Sequence, residues 1–339
     1  MLLSKILNFE FKDIIMLVMG IESSAHTLGV GIVRNGEILA NEKISYNVGS
    51  GGMIPSKVAE FHIENVGKVI EYSLKKAGIS LKQIEGIGYT RGPGIGPCLQ
   101  VGELAAKTIA NKFAIPITQV NHGVGHIEIT KHVAGLNDPL ALYVSGGNSQ
   151  ILKLVDKPYR HYHVLGETLD IGIGNMLDSF ARELKLVPAW GSSIEKEAKG
   201  GKYIEMPYTV KGMDFAFTGL LTHAKKLIGK VSNKDLCYSL QETAFSMICE
   251  ATERALLLTK SRELCICGGV AQSTRLKEML GKIAEEHNVK FGFAPNEFNG
   301  DNGAMIAYVA EKLIKSGYTS KIEECGIAQK YRIEKAVVP

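Results

Sequence analysis

Short apolar runs alternate with amphipathic stretches along this chain, and their two periods predict its elements. Residues 17–23 read as a continuously apolar strand, 28–33 as a second and 37–45 as a third, with Asn35-Gly36 as the hairpin turn between the last two. Apolar residues at helical spacing over 55–77, stopped by Gly78, predict a helix. A strand at 84–90, a Gly/Pro loop at 91–97, a helix at 98–113 and a strand at 117–121 follow. The order then begins again. Residues 140–144, 150–155 and 162–167 read as strands; helices over 178–184, 235–260, 274–287 and 305–314 accompany strands at 264–267 and 290–294. The repeat is one of pattern: three strands with a hairpin, then alternating helix and strand. It predicts two α/β lobes with a shared cleft, where ligands usually sit. The expected division is an N-terminal extension over 1–15, a first lobe over 16–137, a second over 138–325 and a tail over 326–339.

With 45% hydrophobic and 22% charged residues among 339, the chain has the composition of an ordinary globular protein. The net charge of +4 is too mild to demand a polyanionic partner, so any basic surface must come from local clustering. The best local run is Lys153, Lys157, Arg160, His161 and His163, for which a solvated face is the plainer reading. The six cysteines are scattered, without a CxxC, which suggests neither a zinc ribbon nor a disulfide framework and fits a reducing cytoplasm. No apolar run approaches the roughly 20 residues of a membrane span. Lys5, Glu10, Lys12 and Asp13 make the first 15 residues a poor signal peptide.

Candidate chemistry centres on His122-Gly123-Val124-Gly125-His126. Two imidazoles four residues apart leave one face of a helix a turn apart, which is half of a first-row metal site. Gly123 stands where a zinc-protease helix carries its Glu, so the peptidase base is missing. An interior histidine beside a surface one is the plainer alternative. Both halves also open on a strand running into small polar residues, Glu22-Ser23-Ser24 and Ser145-Gly146-Gly147-Asn148. Glycines there let backbone amides approach a phosphate, although hairpin turns look similar. Cys267-Gly268-Gly269-Val270-Ala271 suits a nucleoside packed on glycine backbone, and Gly174–Asp178 opens a helix in the second half. Asp301, in Asn299-Gly300-Asp301-Asn302-Gly303, is either a helix cap or a carboxylate offered to a metal.

Five glycine-flanked loops in a two-fold α/β repeat resemble the sugar kinase, Hsp-seventy and actin superfamily, which implies a two-lobed, duplicated ribonuclease-H-like fold. A narrower resemblance lies in GIESSAHT (20–27), TRGPGIGPCLQVG (90–102), VNHGVGH (120–126), LYVSGGNSQ (142–150), GETLDIGIGNMLDSFAREL (166–184), CGGVA (267–271) and NGDNGAMIA (299–307). These look like the universal threonylcarbamoyl-transferase family, which includes the bacterial TsaD protein and the catalytic subunit of the archaeal and eukaryotic KEOPS complex. The likeness runs over most of the chain, and residues 93–98 are more like the archaeal and eukaryotic branch.

This resemblance implies transfer of a threonylcarbamoyl group from threonylcarbamoyl-AMP to N6 of the adenosine beside the anticodon, in tRNAs reading codons that begin with A. It implies a metal, iron or zinc, on His122, His126, Asp301 and Tyr143. An ATP- or AMP-type nucleotide would contact Tyr143, Val144, Ser145, Gly146, Gly147, Asn148, Asp178, Gly191, Glu195 and Ser273. Glu22 is the candidate catalytic carboxylate, positioning a water or the amine; a structural role is the alternative. The implied partners are tRNA, an atypical small protein kinase and a small dimerising subunit. The chain departs from the family at Ser273, where an Asn is usual, over 187–193, where a PHPGGP-like run is usual, and at Phe61, where His62 would be the second of two histidines. A plain ATPase of the superfamily and a non-catalytic scaffold regulating a partner kinase are the competing readings.

Overall fold

The computed structural model describes residues 15–47 and 53–339; most of the expected N-terminal extension lies outside the described residues. Strands β1 (Leu17–Glu22), β2 (Thr27–Arg34) and β3 (Glu37–Ser45) form an antiparallel meander. Helix α1 (Pro55–Ala77) leads to β4 (Gly86–Gly92), and α2 (Gly96–Phe113) leads to β5 (Ile117–Asn121). Both crossovers yield parallel pairs, β4 on β1 and β5 on β4, as strand–helix–strand connections do. The sheet order is β3-β2-β1-β4-β5. Helix α3 (His122–Val133) starts at the residue after β5.

The second half repeats this build. Strands β6 (Leu140–Val144), β7 (Ser149–Val155) and β8 (His161–Glu167) form the meander, followed by α4 (Ile173–Glu183) and α5 (Gly191–Glu197). A short hairpin of β9 (Val210–Lys211) and β10 (Asp214–Phe215) precedes α6 (Thr218–Lys226) and the long α7 (Asn233–Thr259). Strand β11 (Glu263–Cys267), α8 (Thr274–Glu286), β12 (Lys290–Phe293) and α9 (Asn296–Asn299) complete it. The order β12-β11-β6-β7-β8, with β11 parallel to both β6 and β12, matches the first sheet strand for strand. Each sheet has its own core, one around Met19, Ile21, Leu28 and Tyr89, the other around Phe180, Phe215, Phe217 and Phe245.

The final helix, α10 (Gly303–Lys315), does not stay with the half that precedes it. One compact unit joins residues up to Ile129 with Asp301–Pro339, and the other is Thr130–Gly300. The expected second lobe ran on to residue 325; residues 301–325 belong with the first unit instead. Missing side chains explain this. A Cβ on Gly20 would lie 2.0 Å from Ala307 N, one on Gly31 2.2 Å from Ala304 N, and one on Gly303 2.1 Å from Gly31 N. Backbone therefore touches backbone where α10 lies on β1 and β2, a contact only glycine permits.

Two further differences are local. Helix α4 begins at Ile173, one residue before the Gly174–Asp178 segment expected to open it and five ahead of the stretch where helical periodicity was read. Residues 185–234, expected to be irregular, form α5, α6 and the β9–β10 hairpin. No helix of the described residues is long and apolar enough to cross a membrane.

Candidate metal and nucleotide sites

Asn121 ends β5 and turns its side chain on the next residues. Its Oδ1 accepts the amides of Gly123 and Val124 at 2.9 and 3.2 Å, which caps α3. The cap starts the helix at His122, so His122 and His126 share its first turn. Their ring centroids lie 4.7 Å apart with planes at 88°. Asp301, brought in by α10, places Oδ1 3.5 Å from His122 Nε2 and 3.4 Å from His126 Nε2. One ligand atom from each of the three lies within 4.8 Å of the others. Both histidines are buried, and 19% of the Asp301 side chain is exposed. Two imidazoles and a carboxylate, converging with one side open, suit a first-row metal.

Glu22 ends β1, fully buried, and its two oxygens are engaged. Oε2 lies 2.9 Å from His122 Nδ1 and accepts the Thr90 hydroxyl at 2.7 Å, while Oε1 accepts the Ser24 amide at 2.6 Å. Ser24 Oγ approaches the same Nδ1 at 3.3 Å. A carboxylate on Nδ1 fixes the proton there and turns Nε2 toward Asp301. Of the two roles considered for Glu22, its contacts match the structural one. Ser24 is supported in turn by the Gly/Pro loop, whose Ile95 amide donates to Ser24 O at 2.7 Å.

Charge follows the same geometry. Burial disfavours a charged His122, but the Glu22 and Asp301 carboxylates outweigh it and lift the imidazole to about 9. Burial pushes His126 below its ordinary value. Glu22 and Asp301 both stay below the usual carboxylate range, since the histidines overcome the cost of burial. Two carboxylates against one imidazolium leave the site negative, as a cation site requires.

Tyr143, expected among the ligands, lies in the second unit, on β6 opposite Cys267 of β11. It opens the expected nucleotide group. Val144 ends β6, and the loop after it is a tight turn: the Ser145 amide donates to Asn148 O at 2.7 Å and the Asn148 amide to Ser145 Oγ at 3.1 Å. The first amides of α4 are tied to this loop, Gly174 N donating to Ser145 O at 3.1 Å and Asn175 N to Gly146 O at 2.9 Å. Gly146 and Gly147 remain exposed, and a Cβ on Gly147 would meet nothing within 4 Å.

Among the remaining expected nucleotide residues, Asp178, Glu195 and Ser273 each accept a backbone amide at the start of a helix. Asp178 Oδ1 accepts the Gly191 amide at 2.8 Å, which starts α5. Glu195, a turn further on, accepts the amides of Thr274 and Arg275 at 3.1 and 3.3 Å. Ser273 Oγ accepts the Leu276 amide at 3.2 Å, capping α8. The structure therefore gathers Asp178, Gly191, Glu195 and Ser273 into a support linking α4, α5 and α8. The departure at Ser273 preserves a helix cap. Sequence reasoning missed Thr90 and Ser24 as partners of Glu22 and His122, and Asn121 as the cap; an Asn directly before the histidine pair was the one available signal.

Two sheets of identical strand order, each opening on a polar strand-end turn, define a duplicated α/β fold. Among solved structures, T. kodakarensis HypF matches with a TM-score of 0.62 at 16% identity, over 90% of this chain and 48% of that one, which speaks for the fold alone. A family model for TsaD, tRNA N6-adenosine threonylcarbamoyltransferase, matches residues 37–308. The tRNA N6-adenosine threonylcarbamoyltransferase of Thermococcus sibiricus is 46% identical over 326 residues, 95% of this chain and 99% of that protein. A probable bifunctional tRNA threonylcarbamoyladenosine biosynthesis protein of Methanothermobacter thermautotrophicus is 45% identical over 96% of this chain and 61% of its own length. The chain belongs to the tRNA N6-adenosine threonylcarbamoyltransferase family, a family of transferases.

Proposed function

We propose that this protein transfers the threonylcarbamoyl group of threonylcarbamoyl-AMP to N6 of the adenosine beside the anticodon, in tRNAs reading codons that begin with A. It acts as the metal-dependent catalytic subunit of a KEOPS-like complex. The observation that carries the reading is the convergence of His122, His126 and Asp301 in a chain of this family. Those three residues would hold iron or zinc, which would supply Lewis-acid polarisation of the reagent's oxygens when bound.

The protein's own groups bind and orient. Glu22 holds His122 by Nδ1 and keeps Nε2 aimed at the ligand position. The exposed turn at Gly146 and Gly147 offers backbone to the adenylate phosphate. Asp178, Gly191, Glu195 and Ser273 hold the helices around that turn, and Tyr143 and Val144 anchor it in the sheet. In the transfer, N6 of adenosine bonds to the carbamoyl carbon, the bond from that carbon to the phosphate oxygen breaks with AMP leaving, and N6 gives up one proton to solvent. AMP is already a good leaving group, so orientation and charge stabilisation carry most of the acceleration. The bifunctional name and greater length of the Methanothermobacter relative support a separate partner for this chain, for which an atypical small protein kinase and a small dimerising subunit are the candidates.

The test is nucleoside mass spectrometry of unmodified tRNA after incubation with the partner subunits and a source of threonylcarbamoyl-AMP. Threonylcarbamoyladenosine is expected with wild type and not with His122→Ala. No product from wild type, with the partners bound and a known family member active in parallel, overturns the reading in favour of an ATPase or a scaffold.

A further inference from the structure

The protein's charge is unevenly placed. Residues 182–235 hold ten Lys and Arg against six Asp and Glu; the other 285 residues balance at 29 against 29, so the whole net charge of +4 resides in this stretch of the second unit. Arg182 and Lys185 stand at the end of α4, Lys225 and Lys226 at the end of α6, and Lys230 in the turn that follows. Lys234 lies in the first turn of α7, and Lys199 and Lys202 on the loop after α5.

Short distances join these positions into one track. Lys225 Nζ lies 2.7 Å from Glu183 Oε1, which sets the end of α6 against the end of α4. An Ile228–Val231 bridge closes the turn between α6 and α7. A Cβ on Gly200 would lie 3.4 Å from Lys234 Nζ, and the Lys202 amide donates to Asp235 Oδ1 at 2.6 Å.

Among the described residues, Lys225 alone of the ten basic side chains in this stretch makes an ion pair. Half of the acids turn to backbone instead: Glu195 accepts the Thr274 amide, Asp214 that of Glu167, and Asp235 that of Lys202. Uncompensated like charge repels itself. The basic run 153–163 differs, since Lys153 pairs with Asp138 and Arg160 with Asp156. Three large aromatics lie between these lysines in sequence: Trp190, Tyr203 and Tyr208 are 39%, 58% and 48% exposed. The hydroxyls of Tyr203 and Tyr208 engage Thr243 and Glu250, which holds the rings in place. Lysines tracking a backbone, with aromatic rings among them, are the makings of a surface for single-stranded nucleic acid.

We propose that this face is an RNA-backbone surface that holds the tRNA substrate by its phosphates, with the aromatics taking unpaired bases; the choice of tRNA rests on the function proposed above. The test measures the affinity of the full-length chain for unmodified tRNA across a salt series. Lys199→Glu/Lys230→Glu/Lys234→Glu is expected to weaken binding at least about tenfold and to lower the slope of log Kd against log salt by about 2, near 0.7–0.9 for each phosphate no longer neutralised. The matched triple Lys82→Glu/Lys282→Glu/Lys330→Glu is expected to leave the slope unchanged. Melting and metal content report folding, and the corresponding Lys→Gln triple, with a smaller loss in the same direction, serves if the Glu variant does not fold. Equal losses in both triples, an unchanged slope, or no salt-dependent affinity in wild type overturns the proposal; an unchanged slope leaves the face to an acidic protein. Salt-dependent binding without nucleoside product refutes the function and leaves the face standing, whereas product with affinity insensitive to the face refutes the face alone.

Discussion

Replacing Glu22 by Gln keeps the size of the group on His122 Nδ1 and removes its charge. Carboxylates in that position raise the basicity of a ligating imidazole and fix its ring, and their loss typically costs about 10–100-fold in metal affinity. Glu22→Gln is therefore expected to bind iron or zinc that much more weakly in competition with a chromophoric chelator, with Asp301→Ala losing more. Unaltered affinity in Glu22→Gln would show that Nδ1 needs no charged partner. His62, fully buried on α1, tests a different property. Burial pushes its imidazole down to about 4 from an ordinary 6.5. The unfolded chain takes up this proton near 6.5 and the folded protein only near 4, so stability is lost as pH falls through that window and the loss is constant below it. The full effect is at most about 3 kcal/mol. His62→Leu is expected to flatten that part of the acid limb in denaturant titrations; a limb as steep as that of wild type refutes this. At this scale the histidine pair was legible, because both rings sit on one turn of a locally capped helix. The partners of Glu22 were not, because Thr90 reaches it from β4 and His122 from the start of α3.

At the scale of elements, period-2 and period-3.6 patterns located nearly all of both sheets and most of the long helices. They failed where glycine carries a packing role. Periodicity alone starts α4 only at 178, past Gly172 and Gly174, and a Cβ on Gly174 would lie 2.7 Å from Gly146 Cα and so could not be accommodated. The same reasoning separates two substitutions. Gly31→Ala places a methyl 2.2 Å from the backbone of α10 and is expected to cost about 1–3 kcal/mol or more, with weaker metal binding because Asp301 directly precedes that helix. Gly67→Ala, inside α1 with nothing within 4 Å of the new Cβ, is expected to stabilise by about 0.5–1 kcal/mol. Chemical denaturation of the two variants side by side checks both signs, and a Gly31→Ala protein as stable as wild type would sink the account of α10.

For the whole molecule, the C-terminal residues matter beyond their position in sequence. The Ala328 amide donates to Arg91 O at 2.8 Å, the Gly94 amide to Gln329 O at 3.2 Å, and Asn121 Nδ2 to Tyr331 O at 3.0 Å. The Arg91 guanidinium lies 5.0 Å from the Tyr331 ring centroid. The tail thus holds both the Gly/Pro loop behind Ser24 and the Asn that caps the histidine helix. Deleting 326–339 is expected to lower the melting temperature and the metal affinity together. A truncated chain that melts lower yet binds metal as tightly would confine the tail to a stabilising role.

The sequence by itself determined the duplicated α/β pattern, the helical face shared by His122 and His126, and the likeness that names the family. These are encoded over a few residues at a time, by alternation, helical spacing, caps and turn glycines. Tertiary structure alone decided that α10 returns to the first unit, that Thr90, Ser24 and His122 surround Glu22, and that the basic residues of 182–235 lie along neighbouring helix ends and loops. Each of these depends on groups far apart in the chain and on the volume between them, which local periodicity does not record.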